Sequence, residues 1–329
     1  MYLEILPRLA CPLCQSALTV SKVRCAEVGG REDVLCGNLR CRNCEATFPI
    51  VDGVAVLVAD PFEHLQRYIE TIKSQTNQQN ILPEHSSRLK LDSMESRKER
   101  PLPSDYIYSH ILHFIYEDQA EELFDSTLLR KLYLECQTKE VHTLTRASLP
   151  RHGEFLDVGC ATGGLTLCLA KEESCLSLGV DLAFDLVLTA NKLSRSKAVL
   201  AKLPSSSCVD FIVTDALNAG VRDLIWDGVI ANQLVDTLPR PDLWVLQHAR
   251  LLKKGGQGVF ASPFEFNEAQ LNLLECDPDN DSLFAHFVNG FKSAGCDIAI
   301  SELDCPWLLV RGTKHFDIRA TNFISAIKN

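Results

Sequence analysis

The stretch from Glu154 to Ala170 reads EFLDVGCATGGLTLCLA, and it decides the fold. An apolar run ends at Asp157, passes a turn holding Gly159, Gly163 and Gly164, and restarts with helical spacing. A second short apolar run then ends in an acid, Leu178-Gly-Val-Asp181. Strand, glycine turn, helix, strand and acid, in that order, are how an α/β sheet grips a nucleoside cofactor. Glycines let the backbone turn sharply and approach a ligand without a Cβ clash. The spacing is G-x-A-x-G-G rather than G-x-G-x-x-G, and Asp157 stands two residues before the first glycine. A carboxylate at that strand end would repel a pyrophosphate and suits a cationic ligand end. The chain therefore reads as an enzyme.

Working outward, apolar runs of strand length occur at Glu154–Val158, Cys175–Asp181, Val209–Thr214, Gly228–Ala231 and Gly258–Ser262. Helix-like spacing separates them at Gly164–Lys171, Phe184–Leu193 and Pro241–Leu252, and returns at Ser282–Ala294. Such alternation predicts a mainly parallel sheet covered on both faces. Two last strands, about Ile298–Leu309 and Phe316–Ile327, have no helix-length spacer and predict an antiparallel hairpin around Gly312-Thr-Lys-His315. His315 then sits in a turn, as a surface residue. Residues 75–105 are polar with three prolines and read as a loop or linker. Residues 106–147 show helical apolar spacing, with Tyr106, Tyr108 and Tyr116 available to line a cleft. The division expected is an N-terminal unit over 1–60, a linker and helical segment over 61–147, and the α/β unit over 148–329.

The residues around the glycine turn resemble motif I of class I S-adenosylmethionine-dependent methyltransferases. Val213-Thr-Asp-Ala216, Asp227-Gly-Val-Ile-Ala-Asn232 and Leu251-Leu-Lys-Lys-Gly-Gly256 resemble, in order, later strand ends and turns of that family. Ala161 departs from the pattern, where many members have glycine. The resemblance implies a seven-stranded Rossmann-like sheet with a reversed final hairpin, and S-adenosylmethionine as cofactor. It implies that Asp181 bonds the ribose hydroxyls and Asp215 meets the adenine amino group. The cofactor-binding set implied is Asp157, Gly159, Ala161, Gly163, Asp181, Leu182, Asp215, Ala216, Asn232 and Gln233.

The N-terminus carries Cys11-Pro-Leu-Cys14 and Cys41-Arg-Asn-Cys44, two C-x-x-C pairs 26 residues apart. Each such turn aims two thiolates at one point, and two turns complete a tetrahedral four-cysteine site for structural zinc. Cys25 and Cys36 lack the paired spacing and read as core or surface thiols. Ile5-Leu-Pro-Arg-Leu-Ala-Cys-Pro-Leu-Cys14, Leu39–Cys44 and Phe48-Pro-Ile-Val-Asp-Gly53 also resemble the small zinc-ribbon protein that activates tRNA and protein methyltransferases. That resemblance implies a ribbon that covers an apolar surface of a methyltransferase and pairs strands with it, here in cis.

Composition narrows the rest. The chain has 329 residues, is 46% hydrophobic and carries a net charge of −10. Residues 151–329 hold 16 basic and 22 acidic side chains, a balance that counts against a nucleic-acid partner. No apolar run approaches the about 20 residues that span a bilayer, and the N-terminus has no long apolar core. A cytoplasmic chain is expected, whose 14 cysteines are thiols or metal ligands.

For the acceptor, the end of the fourth strand is the informative place. Enzymes that methylate amides or exocyclic adenine carry an Asn-Pro-Pro-Tyr-type motif there. This chain has Ala231-Asn-Gln-Leu-Val-Asp236. Asn232 and Asp236, with Glu265 just past strand five, are the candidate catalytic residues. Ala231–Pro239, Ser262-Pro-Phe-Glu-Phe266 and Pro306-Trp-Leu-Leu-Val-Arg311 resemble the imidazole N-methyltransferase module of ovothiol synthesis. The expected acceptor is a small molecule or protein side chain, with an imidazole-type nitrogen as the most specific form of that expectation. The alternatives are an RNA methyltransferase using Lys and Arg near residues 88–100, and a non-catalytic scaffold.

Overall fold

A computed structural model describes residues 1–91, 127, 147, 149–312 and 315–329. The chain begins as a ribbon of four strands: β1 (Leu18–Val28), β2 (Arg31–Cys41), β3 (Thr47–Val51) and β4 (Val54–Leu57). Two-residue turns set its register. Gly29 and Gly30 take φ of +59° and +76°, so Val28 pairs with Arg31. Asp52 and Gly53 take +47° and +82°, so Val51 pairs with Val54. Left-handed pairs of this kind match the twist of a hairpin, and glycine and aspartate tolerate them. This is the physical content of the FPIVDGV stretch. β1 is mostly exposed and bulged between Lys22 and Arg24, a charged and kinked edge that resists further pairing.

The α/β unit follows with β5 (Gly153–Val158), β6 (Cys175–Asp181), β7 (Cys208–Thr214), β8 (Trp226–Asn232) and β9 (Leu252–Ser262). It closes with β10 (Cys296–Gly312) and β11 (His315–Lys328). The strand order is β7-β6-β5-β8-β9-β11-β10, with β5 to β9 parallel and β11 reversed between β9 and β10. The hairpin turns at Gly312 opposite His315, where the sequence places it. All seven strands expected from the sequence form.

The strand count differs in one respect. The ribbon does not stand apart: β4 pairs in parallel with β7 through Ala55–Ile212, Val56–Val213 and Leu57–Thr214. Among the described residues the result is one eleven-stranded sheet. β7 (CVDFIVT) and β4 (VAVL) are buried at every position, so neither tolerates an open edge. Thr214 fastens the seam with its hydroxyl, which donates to Leu57 O at 2.8 Å.

A charge cluster sits in the same seam. Arg195, after the helix Phe184–Ser194, is one-tenth exposed. Its guanidinium donates to Asp33 of β2 at 3.2 Å and to Asp210 of β7 at 2.7 Å. The Tyr2 ring lies under it at 3.9 Å, and the Tyr2 amide donates to Asp210 at 2.6 Å. The Met1 ammonium, fully buried, donates to the other side of Asp33 at 2.7 Å and to the Gly53 carbonyl. The Arg195 guanidinium and the Met1 amino group thus face the two carboxylates, and burial pushes the pKa of the Met1 amino group down. Burial works against the Arg195 charge, but Asp210 and Asp33 hold its pKa above the ordinary arginine value.

Some local expectations change. The stretch 75–105 reads as linker, yet up to Leu91 it is folded: Ile69–Gln75, the 3-10 turn Gln78–Asn80 and the helix Pro83–Leu89. Its few described apolar side chains, Ile81, Leu82, Leu89 and Leu91, are buried, and all but Leu82 belong to one cluster with Ile72, Val51, Val54 and Phe62. His85 anchors it to the ribbon through Asn38 at 2.8 Å. Residues 92–105, the helices expected over 106–147 and the three tyrosines there lie outside the described residues, except positions 127 and 147. The helix expected at Pro241–Leu252 starts as a 3-10 turn, Pro241–Leu243, continues as Trp244–Leu251 and hands Leu252 to β9. A helix absent from the sequence reading, Glu268–Leu274, opens on a reciprocal Asn267/Gln270 capping box. No helix among the described residues is long and apolar enough to cross a membrane.

The seam makes a prediction. Arg195→Met leaves two buried carboxylates without their shared cation, which costs about 3–5 kcal/mol. Lys22→Ala, which removes the exposed pair with Glu32, costs under about 1 kcal/mol. Urea unfolding of the full chain measures both, and equal losses would disprove the special weight given to the seam.

Candidate active site

The site is built where the parallel strands end. Gly159 and Cys160 both donate to Val180 O, at 2.8 and 3.0 Å, which folds the turn back over β6. Gly159 takes φ +77°, and a Cβ there would meet a Leu234 methyl at 2.9 Å. Gly163 takes φ +84°, and a Cβ there would lie 2.5 Å from the Phe211 ring. Ala161 holds φ +50° without being glycine, a conformation that costs of order 1 kcal/mol. Asp181 offsets that cost. One of its oxygens accepts from Ala161 N–H at 3.0 Å and the other from Ala183 N–H at 2.9 Å. One carboxylate thus ties the glycine turn to the end of β6.

These loops surround a cavity of about 470 Å³. One half is walled by Gly159, Ala161, Asp181, Leu182, Asp215 and Ala216. The other half is walled by Asn232, Gln233, Thr237, Pro239, Trp307 and Arg319. Leu182 is 45% exposed, a bare apolar side chain beside two acids. His64, from the helix Pro61–Gln66, fixes it from outside through the Leu182 carbonyl at 2.8 Å. Gln270 donates to Asp236 O and Leu238 O at 2.8 and 2.7 Å, holding the loop that carries Thr237 and Pro239.

Eight of the residues singled out from the sequence therefore share one cavity: Gly159, Ala161, Asp181, Leu182, Asp215, Ala216, Asn232 and Gln233. Four stand outside its wall. Asp157 is buried below the turn and accepts from the Thr166 hydroxyl at 2.6 Å. Gly163 caps the helix Gly164–Leu169 against the core. Asp236 is half-buried in the 3-10 turn Val235–Thr237, and Glu265 is exposed. Sequence reading missed Trp307, Arg319, Thr237 and Pro239. Trp307 stood inside a quoted motif, but Arg319 had no signal beyond the strand alternation of Asp317, Arg319 and Thr321.

Burial raises the Asp181 pKa above its ordinary 3.8, against the pull of its backbone donors. Burial also raises that of Asp236, and the neighbouring Glu265 adds to it. The wall chemistry fits a nucleoside without a pyrophosphate. The start of the helix at Gly164, the usual phosphate seat, is outside the cavity, and among the described lining residues the one basic side chain is Arg319 of β11, not a residue of the glycine turn. Two acids flanking an apolar ledge suit a diol and a base instead.

The ribbon carries a second candidate site. The sulfurs of Cys11, Cys14, Cys41 and Cys44 all lie within 4.8 Å of one another. Cys11–Cys44 and Cys14–Cys41 are separated by 3.6 and 3.4 Å. A zinc tetrahedron with 2.3 Å arms has edges of about 3.8 Å, so the four thiols fit one ion with little adjustment. The amides of Asn43 and Cys44 point at the Cys41 sulfur, at 3.4 and 3.5 Å. Cys25 is exposed, Cys36 is buried, and neither joins the cluster.

Two family models match parts of the chain. Residues 156–260 match the model of the methyltransferase domain family, and residues 3–53 match that of Trm112p-like proteins. A phosphatidylethanolamine N-methyltransferase of Cereibacter sphaeroides is 27% identical over 125 residues, 38% of this chain. The chain spans 58% of the length of that relative. Similar solved structures include the YcgJ protein of Bacillus subtilis, at 15% identity and a TM-score of 0.42 over 58% of this chain and 97% of that one. Another comes from the complex of the Haloferax volcanii Trm112 methyltransferase activator with a methyltransferase, at 14% identity and a TM-score of 0.42 over 70% of this chain and 99% of that one. The chain thus carries an S-adenosylmethionine-dependent methyltransferase domain behind a Trm112p-like ribbon.

Asp181→Asn removes a charged acceptor shared by two amides and is expected to weaken S-adenosylhomocysteine binding by about 10- to 150-fold. The pH dependence follows from the raised pKa. The ionised form is lost as pH falls through a value above 3.8, so affinity drops at a higher pH than an ordinary aspartate would give. Calorimetric titrations across pH, on the native chain and on Asp181→Asn, check both, and an unchanged affinity in the variant would remove Asp181 from the site.

Proposed function

We propose that the chain transfers a methyl group from S-adenosylmethionine to a nitrogen of a small molecule or a protein side chain, an imidazole-type nitrogen being the most specific form of this reading. The observation that carries it is the single cavity that joins Asp181 and Asp215 to Asn232 at the strand ends. When bound, S-adenosylmethionine supplies a methyl group on a sulfonium, and the transfer is an in-line displacement for which the protein provides alignment and a dry cleft.

Each part of the wall has a role in that step. Asp181 would accept the ribose hydroxyls while holding the glycine turn, and Asp215 would meet the adenine edge. Asp215 is kept in place by Leu217 N–H at 2.9 Å. Leu182, Leu234 and Leu238 exclude water from the cavity. Asn232, the last residue of β8, touches the acceptor. An amide can orient a nitrogen lone pair by hydrogen bonding and cannot take its proton, so the acceptor would arrive unprotonated or lose its proton to solvent. Asp236 and Glu265 act through the loop that shapes the wall, since neither lines the cavity. The Asp236 carbonyl accepts from Gln270, which ties that turn to the helix after β9. The relative named for N-methylation of an amine supports a nitrogen acceptor, and the Asn-Gln-Leu-Val sequence after β8 supports chemistry other than amide or adenine methylation.

The four ribbon thiols would hold one structural zinc ion. Metal analysis of the purified chain should give about one zinc per molecule. Cys41→Ser should lose the ion and lower the melting temperature, and well under one zinc per chain would refute the site. For the reaction, calorimetry should show S-adenosylmethionine binding, and no binding would end the enzyme reading. Asn232→Ala should lower methyl transfer by about 100-fold, the loss expected when a reacting group is misplaced, while cofactor affinity changes far less. Equal losses in both would make Asn232 a cofactor residue only.

A further inference from the structure

The far end of the cavity has a chemistry that the methyl donor does not use. Trp307 of β10 and Arg319 of β11 are directly opposite each other in the hairpin register, and both line the cavity. Trp307 is 3% exposed, and its indole N–H has no hydrogen-bond partner among the described residues. Trp226, by contrast, donates its N–H to Arg222 O at 3.0 Å. Trp244 also has an unpaired N–H, but it is packed in the core away from the cavity. An indole and a guanidinium are donor-only groups. A buried donor with no acceptor is costly, so a ligand atom that accepts from it is strongly favoured.

Arg319 has a partner that yields easily. Its guanidinium faces Glu265 at 3.8 Å, and the Glu265 side chain is 69% exposed. An exposed pair at that distance is weak. An anion entering beside the buried indole would displace it and gain a planar, two-pronged donor. The opposite half of the cavity bears Asp181 and Asp215, which repel an anion toward the hairpin. Gln233 fixes the spacing between the halves, because its side-chain amide donates to Thr321 Oγ1 of β11 at 3.0 Å.

We propose that Trp307 and Arg319 form an anion subsite, and that the methyl acceptor carries a carboxylate or phosphate gripped there while its nitrogen meets Asn232. This rests on the methyltransferase reading and names its substrate class: a small amphoteric nitrogen compound. A cavity of about 470 Å³ shared with a nucleoside leaves room for little more.

The test uses the full chain saturated with S-adenosylhomocysteine and matched pairs of probes. L-histidine against histamine differs in a carboxylate, and O-phosphoethanolamine against ethanolamine differs in a phosphate. Calorimetry reads the affinities. At least one anionic member should bind about tenfold or more tightly than its partner, the gain expected of charge-assisted hydrogen bonds. Preference for the first pair marks a free amino-acid type of acceptor, and preference for the second a phosphate headgroup. Arg319→Ala should abolish the preference, Arg319→Lys should restore part of it, and Trp307→Phe should reduce it, all with S-adenosylhomocysteine affinity within about twofold. The proposal is overturned if neither pair shows a preference, or if the preference survives Arg319→Ala. Failure of S-adenosylhomocysteine to bind the native chain would instead overturn the methyltransferase reading itself.

Discussion

The open edge of β7 is the constraint from which much of this structure follows. Cys208–Thr214 is buried at every residue, so its outer row of amides and carbonyls cannot be left to water. β4 satisfies that row and brings the ribbon with it. Backbone pairing alone would leave the register open, because VAVL can slide along a uniformly apolar neighbour. The Asp33–Arg195–Asp210 bridge removes that freedom, since only one register brings a β2 carboxylate and a β7 carboxylate to the same guanidinium. Hydrophobic burial supplies the attraction, and the buried charges select the alignment.

The seam also reaches the cavity. Thr214 is the last residue of β7, and Asp215 follows it. The Thr214 hydroxyl donates to Leu57 O and accepts from Gly220 N–H at 2.8 Å. The next segment is held by the Cys11–Cys14 knuckle: Ala10 N–H donates to Gly220 O at 3.0 Å, and Asn218 donates to Pro12 O at 2.7 Å. The wall that presents Asp215 and Ala216 is thus backed by ribbon atoms rather than by the α/β unit alone. Geometry at Cys11 and Cys14 and geometry at Asp215 belong to one connected hydrogen-bonded layer.

The grouping of Gly159, Asp181 and Asp215 around one cavity was readable because it obeys local rules. A strand end, a positive φ and a carboxylate at fixed spacing each leave a mark in a short stretch, as at Gly159, Asp181 and Asp215. The ribbon turns at Asp52-Gly53 and the paired cysteines are equally local. Asp157 shows what spacing leaves out. It is buried outside the cavity wall, where one of its oxygens accepts from the Thr166 hydroxyl nine residues later, and nothing in the spacing reveals that. The helices up to Leu91 were hidden for another reason. Their burial depends on a few side chains meeting Val51, Val54 and Phe62, far away in sequence, while most of their surface is polar. Arg319 was hidden most completely, because a single arginine on an alternating strand looks like any solvent-facing residue.

That contrast has a structural cause. The parallel strands end together on one side of the sheet, and the first residues after them wall one side of the cavity, whatever the rest of the chain does. The far wall of the cavity is assembled by the antiparallel hairpin, whose register places Trp307 opposite Arg319 only after β11 has inserted between β9 and β10. A change in the hairpin can therefore alter the charge and shape of that wall without disturbing Asp181 or Asp215. The hydrogen bond from Gln233 to Thr321 is one point where the two walls meet directly, so it fixes their spacing. Under the proposed reaction, an acceptor anchored at the hairpin would approach along a line set by β8 and β11 together, which is the alignment an in-line displacement requires.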